Sequence, residues 1–296
     1  IDSNTFFISD WNGHIRKVDW QKQSVKKSPS AAIMNGLAGA NLRSLCATQT
    51  GNLAAVATTA GWAAVWNLDS GTMEKIHSKF ESPVFSACLS SNGETLVLGT
   101  GKFALSGPVP EAAIEIWSFQ DEWQFSERVA LPGVCAEWIG YDKCLDSVAV
   151  ISGRLSQGSG FVSFLSLSKL VPYKVVELDS IMGHVLSMEE DPWAVWFTGD
   201  GSTLQLINGE PEEEDRLDDW SIDDIQDDLK GACVDHEEFK LLTTSGRIYD
   251  CESRSEHRLL DGISPLLNCY RVIMRPGGGY IGITRDGVLR VWASRR

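Results

Sequence analysis

LAAVATTAGWAAVW, Leu53–Trp66, reads as two short strands around a tight turn. Leu53 to Thr58 and Ala63-Ala64-Val65-Trp66 are runs of the small, β-branched and aromatic residues that fit a pleated, buried surface. Ala60-Gly61 closes the turn, where glycine supplies the positive φ that a short hairpin demands.

The same unit recurs along the chain. Copies of the second strand are Ile15-Arg16-Lys17-Val18-Asp19, Ile114-Glu115-Ile116-Trp117, Phe161-Val162-Ser163-Phe164-Leu165, Thr203-Leu204-Gln205-Leu206-Ile207, Arg247-Ile248-Tyr249-Asp250 and Val288-Leu289-Arg290-Val291-Trp292, seven with the first. Glycine turns precede four of these six, at Asn12-Gly13, Asp200-Gly201, Ser245-Gly246 and Asp286-Gly287. Partner strands lie upstream at Thr95 to Gly99, Ser147 to Ser152, Trp193 to Thr198, Phe239 to Thr243 and Tyr280 to Thr284. A period of about 40 to 50 residues marks a repeat architecture. A four-stranded sheet buries both faces only between two neighbours, which radial repetition provides.

These residues resemble the WD-repeat β-propeller family. Ser90-Ser91-Asn92-Gly93 leading to Ile116-Trp117, and Arg275-Pro276-Gly277-Gly278 leading through Asp286-Gly287 to Trp292, are similar to its pattern of turn and Trp-ending strand. The chain has no Trp-Asp dipeptide, and the family's Gly-His pair is read at Gly183-His184. Packing between neighbouring sheets is therefore expected to carry most of the stability. The expected fold is all-β: a seven-bladed β-propeller of four-stranded antiparallel blades over residues 1–296. The blades are placed near 1–30, 40–80, 83–130, 133–178, 184–217, 230–260 and 266–296, with a short acidic helix inserted between blades five and six. With strands named a to d outward from the channel, the chain opens in strand b of blade one and stops after strand c of blade seven. The family's closure implies residues before Ile1, or partial substitution by Ile1 to Asn4.

Three places break the period, and loops rather than scaffold carry function in such folds. Blade three has a long b–c connection, Gly101 to Glu111, and blade four a Gly/Ser-rich one, Gly153 to Gly160. The third break is Glu210 to Leu229, with eleven carboxylates and one Arg216, a net of −10 out of the chain's −14. Ser221 and Asp224 resemble an N-capping pair, Ile222, Ile225 and Leu229 recur at helical spacing, and Lys230-Gly231 is a stop. The b–c and d–a connections emerge on one face, so all three breaks are expected there. The candidate peptide-binding residues are Trp11, Trp62 and Phe103 among the b–c turns, and Asp218, Asp219, Trp220, Asp223, Asp224 and Asp227 of the acidic segment. Aromatics beside carboxylates can hold a Lys or Arg by charge and cation–π contact; for Trp62, ordinary packing within its blade is the competing reading. Trp66, Trp117 and Trp292 are assigned to packing.

A basic counterpart, Arg16, Lys17, Lys22, Lys26 and Lys27 around Asp19, reads as a solvated edge, with a site for phosphate or an acidic partner as the alternative. Cys46, Cys88 and Cys233 fall at one offset in strand a and read as buried, inert thiols. Seven cysteines without a Cys-x-x-Cys pair give neither a zinc site nor a disulfide framework. No signal peptide is visible at Ile1, and an intracellular location, cytoplasmic or nuclear, is expected.

Five scattered histidines form no ligand spacing, and no nucleophile elbow or Walker loop occurs. No catalytic residue, metal or cofactor is expected. With 43 % hydrophobic residues there is ample core, and no apolar run reaches membrane-spanning length. The net charge of −14 disfavours nucleic acid except through a complex. The expected function is a noncatalytic protein–protein interaction scaffold that binds a protein or basic peptide on its loop-rich face. The alternatives are a structural subunit of a multiprotein complex held by blade edges and, third, a propeller enzyme with a central-channel site.

Overall fold

The computed structural model describes residues 5–9, 14–19, 21–28, 42–48, 50–102, 111–142, 147–153 and 160–178, and beyond these the backbone of the strands. The first sheet contains β1 (Thr5–Ser9), β2 (Ile15–Asp19) and β3 (Ser24–Lys27). The second contains β4 (Leu42–Ala47), β5 (Leu53–Thr58), β6 (Trp62–Asn67) and β7 (Met73–His77). The third contains β8 (Val84–Leu89), β9 (Thr95–Thr100), β10 (Ala113–Phe119) and β11 (Trp123–Ala130). The fourth contains β12 (Cys135–Asp142), β13 (Ser147–Gly153), β14 (Gly160–Ser166) and β15 (Val171–Leu178). The fifth contains β16 (Gly183–Ser187), β17 (Pro192–Phe197), β18 (Thr203–Asn208) and β19 (Trp220–Ser221). The sixth contains β20 (Leu229–Asp235), β21 (Glu238–Thr243), β22 (Arg247–Asp250) and β23 (Ser255–Arg258). The seventh contains β24 (Cys269–Met274), β25 (Tyr280–Thr284) and β26 (Leu289–Trp292).

Every sheet is an antiparallel meander in chain order. The leading strands pack on one another in series, β4 on β8, β8 on β12, β12 on β16, β16 on β20 and β20 on β24. In the first sheet the Ser28 N–H donates to Ile15 O at 2.8 Å, as the Leu131 N–H donates to Ala112 O in the third. These bonds tie the end of a fourth strand to the start of a third, so β1 holds the second place in its sheet.

Period-two alternation delivers consecutive residues to opposite neighbours. On β5 and β6, Ala54, Val56, Trp62, Ala64 and Trp66 join Ile15 of the first sheet. The residues between them, Ala55, Ala57, Ala63 and Val65, join Val84, Ala87, Leu96 and Leu98 of the third. Val97, Ile114 and Ile116 turn the other way onto Val148 and Val150 of the fourth. Each large aliphatic side chain buried at these seams contributes about 1.5–3 kcal/mol.

Two backbone features repeat. Gly51 (φ 68°) and Gly93 (φ 78°) close equivalent turns between first and second strands, their N–H groups donating to Thr48 O at 2.9 Å and Ser90 O at 3.0 Å. In addition, β4, β8, β12, β20 and β24 each shift register near their start, bulging Arg43, Phe85, Glu137, Lys230 and Tyr270. An extra residue there bends the leading strand and re-aims its side chain.

The expected strands recur with nearly the expected bounds, and Cys46, Cys88 and Cys233 each hold the fifth place of a leading strand. The fifth sheet differs. Its fourth strand is Trp220–Ser221, beyond the expected limit at 217, because the outer edge of β18 is covered there by Thr203↔Ser221 and Leu204↔Trp220 pairing. The expected helix loses both its ends to strands: Ser221, read as its cap, lies in β19, and Leu229, Lys230 and Gly231 lie in β20. Residues 222–228 lie outside the described residues.

Candidate interaction face

Second strands end, third strands begin and leading strands start at the same end of the second to the seventh sheet. Thr58, the last residue of β5, pairs with both Leu42 and Trp62, which places the bulge of β4 beside the 59–61 turn. The Thr58 hydroxyl donates to Trp62 O at 2.8 Å, as the Thr100 hydroxyl donates to Ala113 O at 3.2 Å in the next sheet.

The bulged residues of three consecutive sheets collect at this end. Arg43 is exposed, Phe85 is buried and Glu137 is half-buried. Behind the bulges the leading strands are stitched together: Ser44 Oγ donates to Ala87 O at 3.5 Å and Ser86 Oγ to Ala136 O at 2.8 Å. The Cys135 thiol donates to Glu137 Oε1 at 3.3 Å. Burial first, and then the Glu137 charge, push this thiol up, while Arg43 acts in the opposite sense. One thiol thus feels the charges of the second and fourth sheets together. A protonated, buried thiol is a poor nucleophile, so this group is packing rather than chemistry. Cys46 is likewise pushed up to about 12 by burial, and Cys88 is raised by burial with Cys46 nearby. Among the described residues no group of three His, Cys, Asp or Glu side chains could hold a metal ion.

The sequence-derived candidates divide. Trp11 and Phe103 fall in the connections β1–β2 and β9–β10, at this end, and lie outside the described residues. Trp62 is buried at 2 % exposure, with the Lys75 ammonium 4.5 Å over its ring, so it packs within its blade and is not an exposed anchor. The acidic segment does not form one d–a connection as expected, because β19 cuts it in two. Asp218 and Asp219, with Glu210, Glu212, Glu213, Glu214 and Asp215, fall in sequence between β18 and β19. Asp223, Asp224, Asp227 and Asp228 fall in sequence between β19 and β20, and Trp220 is a strand residue between the two groups. All eleven carboxylates lie outside the described residues.

The basic cluster ties sheets together. The Lys17 ammonium donates to Gly51 O at 3.0 Å and lies 5.8 Å from the Phe7 ring centroid. That of Lys26 donates to Leu68 O and lies 5.9 Å from the Trp66 centroid. Two charges expected to be solvated are thus spent across the seam between the first and second sheets, while Lys22 pairs with Asp19 at 2.8 Å.

Sequence reasoning missed Arg43, Phe85 and Glu137. For Arg43 and Phe85 the available signal was their constant spacing, three residues before the Cys of β4 and of β8; Glu137 carries no such mark. It also missed Glu115, fully buried between Ile114 and Ile116 of β10.

The β-propeller domain of Cps50 (Swd1) from Myceliophteria thermophila is similar to the chain with a TM-score of 0.73, at 12 % identity, over 99 % of this chain and 94 % of that one. The chain is a β-propeller. Its four-stranded antiparallel sheets and repeated glycine turns fit a propeller of the WD-repeat kind. Hydrazine synthase from Kuenenia stuttgartiensis is also similar, with a TM-score of 0.67 at 11 % identity over 98 % of this propeller and 92 % of that chain. No protein-family model and no curated protein matches the sequence. One of these two structural neighbours is named as an enzyme, so the fold alone does not separate scaffold from catalyst.

Proposed function

We propose that this propeller is a noncatalytic interaction scaffold, seven-bladed over residues 1–296, and that the end bearing the bulges receives a protein or peptide with a basic segment. The observation that supports this reading is half-buried Glu137 on a bulged leading strand, at the end of the sheets where β20 also begins, and the sequence that leads into β20 carries Asp223, Asp224, Asp227 and Asp228. Carboxylates recognise Lys and Arg by charge, and half-buried Glu137 supplies a less screened contact than an exposed one. The raised, buried thiols of Cys46, Cys88 and Cys135 suit a reducing intracellular compartment.

The test is titration with an array of Lys/Arg-rich peptides at low and at physiological salt. Saturable binding that falls steeply as salt rises supports the reading, since exposed charges are screened beyond about 8–10 Å at physiological ionic strength. Absence of saturable binding contradicts it. Exposed apolar residues on an outer strand, Val171 at 60 % and Val175 at 49 % exposure, favour a second reading, a complex subunit held by its blade edges. Stoichiometric recovery with a large partner, insensitive to salt, distinguishes it.

A further inference from the structure

We propose that the outer groove between the second and third sheets is a separate docking surface, fitted to an acidic segment that carries a large apolar side chain. Phe80, in the connection from β7 to β8, is 49 % exposed. Its ring meets Phe125 of β11 edge-on at 5.9 Å, and Phe125 meets Trp117 of β10 in the same way at 5.6 Å. Further along the same two strands Phe119, 38 % exposed, tilts against Trp123 at 5.2 Å. Aromatic surface thus runs the length of β10 and β11 on the side facing the second sheet, and β11 is an outer strand whose far edge has no strand on it among the described residues. Aromatic rings held by one another and half open to water are the commonest anchors of protein contacts.

The charges select the occupant. The Arg128 guanidinium lies 4.6 Å from the Phe80 ring centroid. Its cross-strand neighbour is Glu115, whose carboxylate is already taken, accepting from Ser78 Oγ at 2.7 Å and the Lys79 N–H at 2.9 Å. Among the described residues the guanidinium has no ion-pair partner, and neither has the ammonium of Lys79, which is exposed beside Phe80. Glu127 pairs with Ile116, which packs toward the fourth sheet, so its charge belongs to the other side. At its Phe80 end the exposed rim of the groove carries two cations, Lys79 and Arg128, against the carboxylate of Glu81, whereas Glu74 of β7 and Asp121 and Glu122 of the β10–β11 turn stand toward the Phe119–Trp123 end, so the acidic part of the occupant is received beside Phe80. A planar guanidinium stacked on a ring keeps its edge donors for a carboxylate, while the ring beside it takes an apolar side chain. This occupant has the opposite charge from the one proposed for the bulge-bearing end, so the two surfaces are independent.

The probe is a fluorescein-labelled decapeptide alternating aspartate with leucine and phenylalanine, read by fluorescence polarisation. Saturable binding is expected, weakened about tenfold or more by Phe80→Ala and by Arg128→Glu. It should be unchanged by Glu127→Gln and by neutralising Asp223, Asp224, Asp227 and Asp228, and absent for a peptide whose apolar residues are replaced by serine. Phe80 and Arg128 are exposed, and equal melting temperatures of the variants confirm that they fold. Absence of saturation, or equal affinity in the Phe80 and Arg128 variants, overturns the proposal. So does a dimer that sediments as such and is dissociated by Phe80→Ala, since the patch would then belong to a second copy.

Discussion

Glu115 and Arg128 stand directly opposite one another on β10 and β11, yet no ion pair joins them: the carboxylate turns inward to Ser78 and the Lys79 N–H, and the guanidinium turns outward over Phe80. Glu115 is therefore a buried acceptor that fastens the end of the second sheet to the third. Removing it leaves buried donors without a partner, which costs about 1–3 kcal/mol. Glu115→Ala is expected to lower the unfolding free energy measured by urea titration by that amount, and Glu115→Gln, which keeps one acceptor oxygen, by less. Equal midpoints for wild type and Glu115→Ala would show that the seam does not depend on this contact.

Gly99 of β9 sits where two leading strands, β8 and β12, converge. A Cβ there would lie 2.1 Å from Ser86 Oγ and 2.7 Å from Ala136 O, and the second contact is backbone. Gly99→Ala is expected to destabilise by about 1–3 kcal/mol through overpacking. Adding Ser86→Ala removes only the first clash, so the double mutant should recover part of the loss in a chemical-denaturation cycle.

Lys17 and Lys26 are predicted to matter more than their surface setting suggests. Replacing either by Met keeps the aliphatic stem but removes the donor to Gly51 O or Leu68 O, costing about 1 kcal/mol each. Lys27→Met should leave the melting temperature unchanged. A calorimetric series that ranks the three alike would assign them all to solvent.

The thiols give a pH prediction with a definite sign. Cys46 rises from an ordinary 9.0 to about 12 in the folded protein because burial opposes the thiolate. The unfolded thiol ionises first, so stability is intact below pH 9 and falls as pH rises from 9 toward 12, by about 1 kcal/mol per pH unit. Peptide mapping after iodoacetamide treatment of native protein at pH 8 should find Cys46, Cys88 and Cys135 unmodified, and all three modified in urea.

The strands were legible because a buried sheet writes its period directly: Leu53–Trp66 alternates between two neighbours, and Gly51, Gly61 and Gly93 mark turns through a backbone angle only glycine adopts freely. The two ends of the helix expected in the acidic segment misled for a physical reason. Trp220 and Ser221 carry no strand signal of their own and pair only because the edge of β18 requires cover, so the helical spacing of Ile222, Ile225 and Leu229 was the stronger local pattern. Trp62 misled likewise, since burial under Lys75 depends on a strand a dozen residues away. The bulges were silent because one extra residue in a strand leaves the composition unchanged. Glu115 looks like any charged strand residue until Ser78 is placed against it.

The most direct test of the proposed function separates the two halves of the acidic segment. Affinity for a Lys/Arg-rich peptide is compared by isothermal titration calorimetry in wild type, in Asp223→Asn/Asp224→Asn/Asp227→Asn/Asp228→Asn, and in Glu212→Gln/Glu213→Gln/Glu214→Gln. Loss of about tenfold or more in the first variant, with the second near wild type, is the predicted result. Equal effects of the two variants, or undiminished binding in the first, would contradict recognition at the bulge-bearing end of the propeller.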